Sequence, residues 1–80
     1  MEQDYAGLVE LVIKPIVEFP EEMEVTSTVE GNTAYVDIRV NSDDAGKVIG
    51  RQGRVIKAIR TVVRAAASRE GMKAEVELID

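Results

Sequence analysis

In the first half of the chain, apolar residues recur first at a helical spacing and then at every second position, which predicts a helix followed by a β-hairpin. Residues 4–18 place apolar side chains at the 3.6-residue spacing of a helix face, which Pro15 should kink or restart near its end. The residues on this face are Leu8, Val9, Val12, Ile13, Ile16 and Val17. Residues 23–30 and 33–40 alternate apolar and polar positions, as half-buried strands do, and Gly31-Asn32 suits the turn between them.

The second half of the chain predicts two helices and a third strand. Asn41-Ser42 followed by Asp43-Asp44 is typical of a helix start, and this helix must be short because glycines follow quickly. A longer helix is predicted from about Gly53 to Glu70, with Gly71 as its left-handed cap, and residues 73–79 alternate again as a strand. The order α-β-β-α-α-β, with strands apolar mainly on one face, predicts a two-layer α+β fold with helices on that face only.

Length and composition limit the classes of protein that remain. The chain has 80 residues and neither cysteine nor histidine, so a single domain over residues 1–80 must fold on apolar packing without disulfides or zinc. Its most apolar stretch, residues 8–17, falls short of the roughly 20 apolar residues that a membrane span needs. We therefore expect a soluble, cytoplasmic protein with no cofactor, no membrane partner and no small-molecule substrate.

The charges are divided unevenly between the two halves of the chain. The net charge is −5, which by itself argues against nucleic-acid binding. Residues 1–45 carry eleven acids and two bases, whereas residues 46–80 carry eight bases and four acids, so the halves differ as −9 and +4. The stretch 46–69 has seven bases and no acid, which is consistent with either a solvated basic helix face or a phosphate-contacting edge.

The segment Gly46-Lys47-Val48-Ile49-Gly50-Arg51-Gln52-Gly53 is the candidate site. Its last four residues join the short helix to the long one in a tight turn, and they leave helical N–H groups available to a phosphate. The segment lacks the Gly-Lys-Ser/Thr of a P-loop and the Gly-x-Gly-x-x-Gly of a dinucleotide fold. A plain turn between two helices remains the alternative for a Gly-x-x-Gly sequence by itself.

Val48-Ile49-Gly50-Arg51-Gln52-Gly53 within this order of elements resembles the KH domain, in its type II form with a three-stranded mixed sheet. Together with Lys14-Pro15-Ile16-Val17 and Ala58-Ile59-Arg60-Thr61, it resembles the bacterial KhpA family of stand-alone KH proteins over essentially the whole chain. The resemblance implies single-stranded RNA binding by a Gly-x-x-Gly loop that clamps about four nucleotides. It also implies a cytoplasmic RNA chaperone in post-transcriptional regulation, linked to cell shape.

Carried onto this chain, the resemblance gives a set of RNA-binding residues. They are Lys47, Val48, Ile49, Gly50, Arg51, Gln52, Gly53, Arg54 and Lys57. The four loop residues would hold the RNA backbone, while Val48 and Ile49 would lie under the bases near a strand residue such as Ile38 or Val40. The alternative for every one of these aliphatic residues is a place in the core.

The long helix presents one basic side and one apolar side. Lys57, Arg60 and Arg64 lie within about 60° of one another, and the apolar residues spread over an arc that one sheet should cover only in part. The remainder is either covered by the first helix or exposed to a second subunit. The KhpA resemblance favours a homodimer, with Ile56, Ile59, Arg60 and Val63 as interface residues, and implies a larger KhpB-type KH protein as a further partner.

Three other functions compete with RNA binding through the loop. An enzyme is not expected, because the chain has no histidine and no nucleophile–base or metal-ligand spacing. A sheet face that stacks bases would need aromatic residues, and the chain has only Tyr5, Tyr35 and Phe19. The strongest alternative is a protein-interaction module that keeps the KH fold for dimerisation and partner docking.

Overall fold

A three-stranded mixed sheet forms one layer of the molecule, and three helices cover one of its faces. The computed structural model describes residues 4–79. Strands β1 (Glu24–Glu30), β2 (Thr33–Arg39) and β3 (Lys73–Ile79) lie in the order β1-β2-β3. β1 and β2 are antiparallel, whereas β2 and β3 are parallel. The predicted α+β class and type II KH order of elements are confirmed.

The helices are α1 (Tyr5–Ile13), α2 (Ala45–Ile49) and α3 (Arg54–Arg69). Asp4 caps α1 by accepting a hydrogen bond from the Gly7 N–H at 2.8 Å. A turn of 3₁₀ helix precedes each of β1, α2 and α3. Gly71 follows α3 with a φ of 71°, as predicted for a left-handed cap. No helix within residues 4–79 is long and apolar enough to cross a membrane.

The core lies between the sheet and the helices, and it is largely aliphatic. Ala34, Val36 and Ile38 of the central strand are fully buried, and in the register they neighbour Ala74, Val76 and Leu78 of β3. The helices complete the core with residues one turn apart, and these residues are Tyr5, Val9, Ile13, Val48, Ile56, Ile59, Val63 and Ala67. The opposite sheet face is exposed and acidic at Glu75 and Glu77.

Helix α1 is shorter than the predicted span of residues 4–18. It ends at Ile13, directly before Lys14-Pro15, and the chain continues in turns to Val17. Proline has no N–H to continue the helical ladder, so it ends the helix here instead of bending it. Val17 is nevertheless buried, since the turn keeps it on the core side, whereas Val12 on the predicted face is exposed.

The far half of β1 also differs from its predicted pattern. Val25 is buried opposite Ile38, but Ser27 and Val29 on the same face are exposed. β1 is an edge strand, and its second half is left uncovered by the helices of the described residues. The alternation therefore predicted the strand correctly, but of the residues predicted to face the core only those near its start are covered.

Candidate nucleic-acid interface

The loop between α2 and α3 adopts a backbone conformation that a side chain resists. Gly50 has φ 77° and ψ 172°, and Gly53 has φ 72° and ψ 17°. Gln52 between them has φ 57°, and it is the one residue other than glycine with a positive φ in the described part of the chain. Left-handed residues cost free energy unless they are glycine, so two of these three positions use the residue that fits them.

The two glycines of the loop serve different purposes. A Cβ atom on Gly50 would lie 2.9 Å from the backbone N of Val55, too close for any side chain. A Cβ on Gly53 would meet no atom nearer than 4.0 Å, so its positive φ alone favours glycine there. Gly50 thus permits close packing of the loop on α3, and Gly53 leaves the surface in front of the loop open.

The start of α3 is available to a ligand. No side chain caps α3 at Gly53, and none caps the 3₁₀ turn at Gly50. The first N–H groups of a helix have no acceptor within it, and they favour an anion through hydrogen bonds and the helix dipole. Arg51 and Arg54 are exposed beside this terminus, and Arg54 Nη2 donates to Gln52 Oε1 at 3.3 Å.

A buried carboxylate fixes the position of α2. Asp44 is fully buried, and its two oxygens accept hydrogen bonds from the backbone N–H groups of Glu18 and Phe19 at 2.9 and 3.0 Å. Burial by itself would raise the pKa of the Asp44 carboxyl, but these two N–H groups and the ammonium of Lys47 outweigh it and hold the pKa below its usual value. The segment after α1 is thereby joined to the start of α2.

Lys47 belongs to the same cluster. Its Nζ donates to Glu18 Oε1 at 2.7 Å and lies 3.6 Å from Asp44 Oδ1. The hydrogen bond to Glu18 raises the pKa of the Lys47 ammonium. A phosphate would have to compete with the carboxylates of Glu18 and Asp44 for Lys47. Arg51 and Arg54, which are also predicted RNA contacts, have no such ion pair among the described residues.

A groove lined by aliphatic and charged residues runs from the loop along the edge of β3, and we call it the α2–β3 groove. Its first part has a volume of about 370 Å³ and is lined by Ile49, Ile56, Arg60, Glu77 and Leu78. At Leu78 it continues into a hollow of about 220 Å³, whose further lining residues are Val40, Ser42, Ala45 and Ile79. Its aliphatic side chains offer a surface on which unstacked bases can pack while their phosphates contact the loop.

Two predicted groove residues are in the core instead. Val48 on the inner face of α2 and Ile38 in the central strand are fully buried, so neither presents surface to a ligand. Ile49 and Val40 do line the groove. Leu78 was not predicted as a groove residue. The alternation in β3 indicates that its side chain faces inward, but it does not show that α2 leaves this side chain partly uncovered.

The predicted dimer residues are largely inside the chain. Ile56, Ile59 and Val63 are only 7%, 2% and 1% exposed, since the helices and the sheet of the same chain cover them. The expectation that they form an exposed edge is wrong. Arg60 lies on the other side of α3, where its Nε donates to the Val76 carbonyl oxygen at 3.1 Å.

The chain is similar to known proteins over nearly its full length. The family described as KhpA/KhpB, KH domain, matches residues 6–78. The protein named RNA-binding protein KhpA in Clostridium perfringens is 46% identical over 90% of this chain and 96% of its own length. The proteins of that name in Clostridium acetobutylicum and Chlamydia trachomatis are 42% and 38% identical, over 90% and 86% of this chain and 96% and 88% of their own lengths. With its Gly-x-x-Gly loop, its order of elements and these matches, the chain belongs to the KhpA/KhpB family of KH domains.

Proposed function

We propose that this protein binds single-stranded RNA, with the loop holding the sugar-phosphate backbone and the α2–β3 groove receiving the bases. The observation that carries the proposal is the left-handed loop at Gly50, Gln52 and Gly53, placed where an uncapped helix start meets a groove with aliphatic residues in its lining. Relatives named RNA-binding protein KhpA support the same conclusion. The role is one of binding, not catalysis.

The residues divide into those that contact RNA and those that hold the contacts in place. Gly50 and Gly53 admit the backbone, while Arg51, Gln52, Arg54 and Lys57 are exposed and supply charge and hydrogen bonds. Ile49 and Leu78 lie under the bases. Val48 anchors α2 in the core, and Lys47 joins it to Glu18, so both act on RNA through the position of the helix.

The test replaces Arg51 and Gln52 with Asp. Aspartate tolerates the left-handed backbone at position 52, so the fold should persist. We expect RNA affinity, measured by fluorescence anisotropy with short oligonucleotides, to fall by about tenfold or more, because acidic groups then face the phosphates. The control is Arg39→Glu with Thr28→Glu, which makes the same change in charge on the outer sheet face. Equal affinities of the two double variants would show that the loop is not the clamp.

We further propose self-association through the exposed apolar strip of α3, defined as Ala58, Val62 and Ala65. These residues lie on one side of the helix, and Val62 is 45% exposed. The small alanines on either side would allow close approach of a second helix. The strip replaces the buried residues Ile56, Ile59 and Val63 as the candidate interface of a homodimer, and of a pair with a KhpB-type KH protein.

The competing role as a protein-interaction module rests on the same strip. An apolar strip on an exposed helix suits a protein partner, whether or not RNA is bound. In that case the unmodified protein would dimerise and bind no oligonucleotide. RNA binding that the loop variant abolishes would decide in favour of the clamp.

A further inference from the structure

A second hollow lies between α3 and β3, and we call it the α3–β3 cleft. It has a volume of about 450 Å³. Lys57, Thr61 and Arg64 of α3 line one side, and Glu75 and Glu77 of β3 line the other. Arg60 and Glu77 also line the α2–β3 groove, so the two spaces are continuous.

The two sides of the cleft carry opposite charges that do not pair with each other. Lys57, Arg64, Glu75 and Glu77 are all exposed. Every ion pair within the span from residue 4 to residue 79 involves Lys47, which lies elsewhere. The cleft therefore keeps cations and carboxylates apart, and a ligand with an anion at one end and hydrogen-bond donors at the other would complement both.

We propose that the cleft binds one further nucleotide of the RNA strand held in the groove and selects it by its base. This inference rests on the proposed RNA-binding function. The phosphate of this nucleotide contacts Lys57 and Arg64, and an amino group of its base donates to Glu75 or Glu77. Carboxylates accept hydrogen bonds from the cytosine N4 amino group, and adenine offers an equivalent N6 amino group. Uracil has no exocyclic amino group, and its one Watson–Crick donor, N3–H, lies between two carbonyl oxygens that the carboxylates would repel.

The cleft thus explains why acidic residues border an RNA-binding groove. A backbone clamp alone carries little sequence information, because phosphates are the same at every position. Unpaired bases of single-stranded RNA are read on their Watson–Crick edges. The two glutamates supply acceptors for such an edge, next to cations that can hold the adjoining phosphate.

The test compares oligo(A), oligo(C) and oligo(U) of about eight nucleotides, twice the length that the loop clamps. We expect the unmodified protein to prefer oligo(A) and oligo(C). Glu75→Ala with Glu77→Ala should reduce this preference by about tenfold, because it removes the acceptors. Arg64→Gln should weaken all three complexes to a similar degree and leave oligonucleotides of about four nucleotides unaffected.

Glu30→Ala with Glu24→Ala provides the control, since it makes the same change on β1 at the far edge of the sheet. If the cleft variant binds all three oligonucleotides more tightly and equally so, the glutamates only repel RNA and the inference is wrong. It is also wrong if the cleft variants behave like the control while the loop variant loses binding. An unmodified protein that binds none of the oligonucleotides would overturn the proposed function together with this inference.

Discussion

At the scale of single residues, the three glycines of the candidate segment are under different constraints. Gly50 needs both its positive φ and the absence of a Cβ, Gly53 needs only its positive φ, and Gly46 lies in α2 with open space around it. The spacing of the glycines indicated a tight turn. It could not show which glycine packs against Val55, because that contact depends on where α3 begins.

The glycines lead to a graded prediction. Gly46→Ala should stabilise the protein by about 0.5–1 kcal/mol, since alanine is the better helix former and meets no neighbour. Gly53→Ala should cost about 1–2 kcal/mol for its left-handed backbone. Gly50→Ala should cost more, because its Cβ would also collide with Val55.

Free energies of unfolding in urea test this order. Gly46→Ala also serves as the control for RNA binding, which it should leave unchanged. An equal cost for Gly50→Ala and Gly53→Ala would contradict the packing role assigned to Gly50.

At the scale of elements, periodicity predicted which segments are helices and strands but not what covers them. The spacing in residues 4–18 was correct for α1, yet Pro15 ended the helix early and left Val12 exposed. The apolar arc of α3 was also correct. Its centre is buried by the same chain, and only the margin at Val62 remains exposed. Coverage depends on how elements pack, and a one-dimensional pattern does not contain that information.

The least predictable contact between elements is the one made by Asp44. The sequence marks this residue as an acid in the first turn of a helix, a position that is usually solvated. In the structure it lies fully buried and binds two backbone N–H groups that are 25 and 26 residues away in the chain. A contact over this distance depends on the closed fold, so local sequence gave no signal for it.

Asp44 should make stability fall in acid. Its pKa is lower in the folded protein than in the unfolded chain, where the ordinary value is 3.8. The stabilisation by Asp44 is therefore complete at pH values above the pKa of the unfolded state, and it is lost as the pH falls through the pKa of the folded state. Asp44→Asn should lower the melting temperature at neutral pH by about 5 °C or more, and the difference from the unmodified protein should shrink in acid.

Differential scanning calorimetry across this pH range measures the effect. Asp43→Asn is the matched control, because Asp43 is exposed one position away. If the two variants melt alike at neutral pH, the buried carboxylate does not hold α2 in place.

At the scale of the whole molecule, an acidic body carries a basic strip at one edge. The division into −9 and +4 was visible in the sequence, and the structure places the exposed cations Arg51, Arg54 and Lys57 at the loop and the start of α3. The net charge of −5 then opposes non-specific attraction to nucleic acid, so binding should depend on the local site. The proposed clamp of about four nucleotides would be weak by itself, and the proposed second copy would add affinity by joining two sites.

Substitutions of Val62 test whether a second copy of the protein raises the affinity for RNA. Val62→Glu and Val62→Lys should both make the protein monomeric by analytical ultracentrifugation, because each places a charge in the proposed interface. Both should weaken binding to an RNA that holds two sites by about a hundredfold and leave oligonucleotides of about four nucleotides unaffected. Equal losses of affinity in the two variants would indicate lost avidity. A direct electrostatic effect on RNA would instead weaken binding with glutamate and strengthen it with lysine.

Leu11→Glu and Leu11→Lys are the controls, since Leu11 is 76% exposed on α1. Dimers that survive at Val62 and are lost at Leu11 would move the interface from α3 to α1.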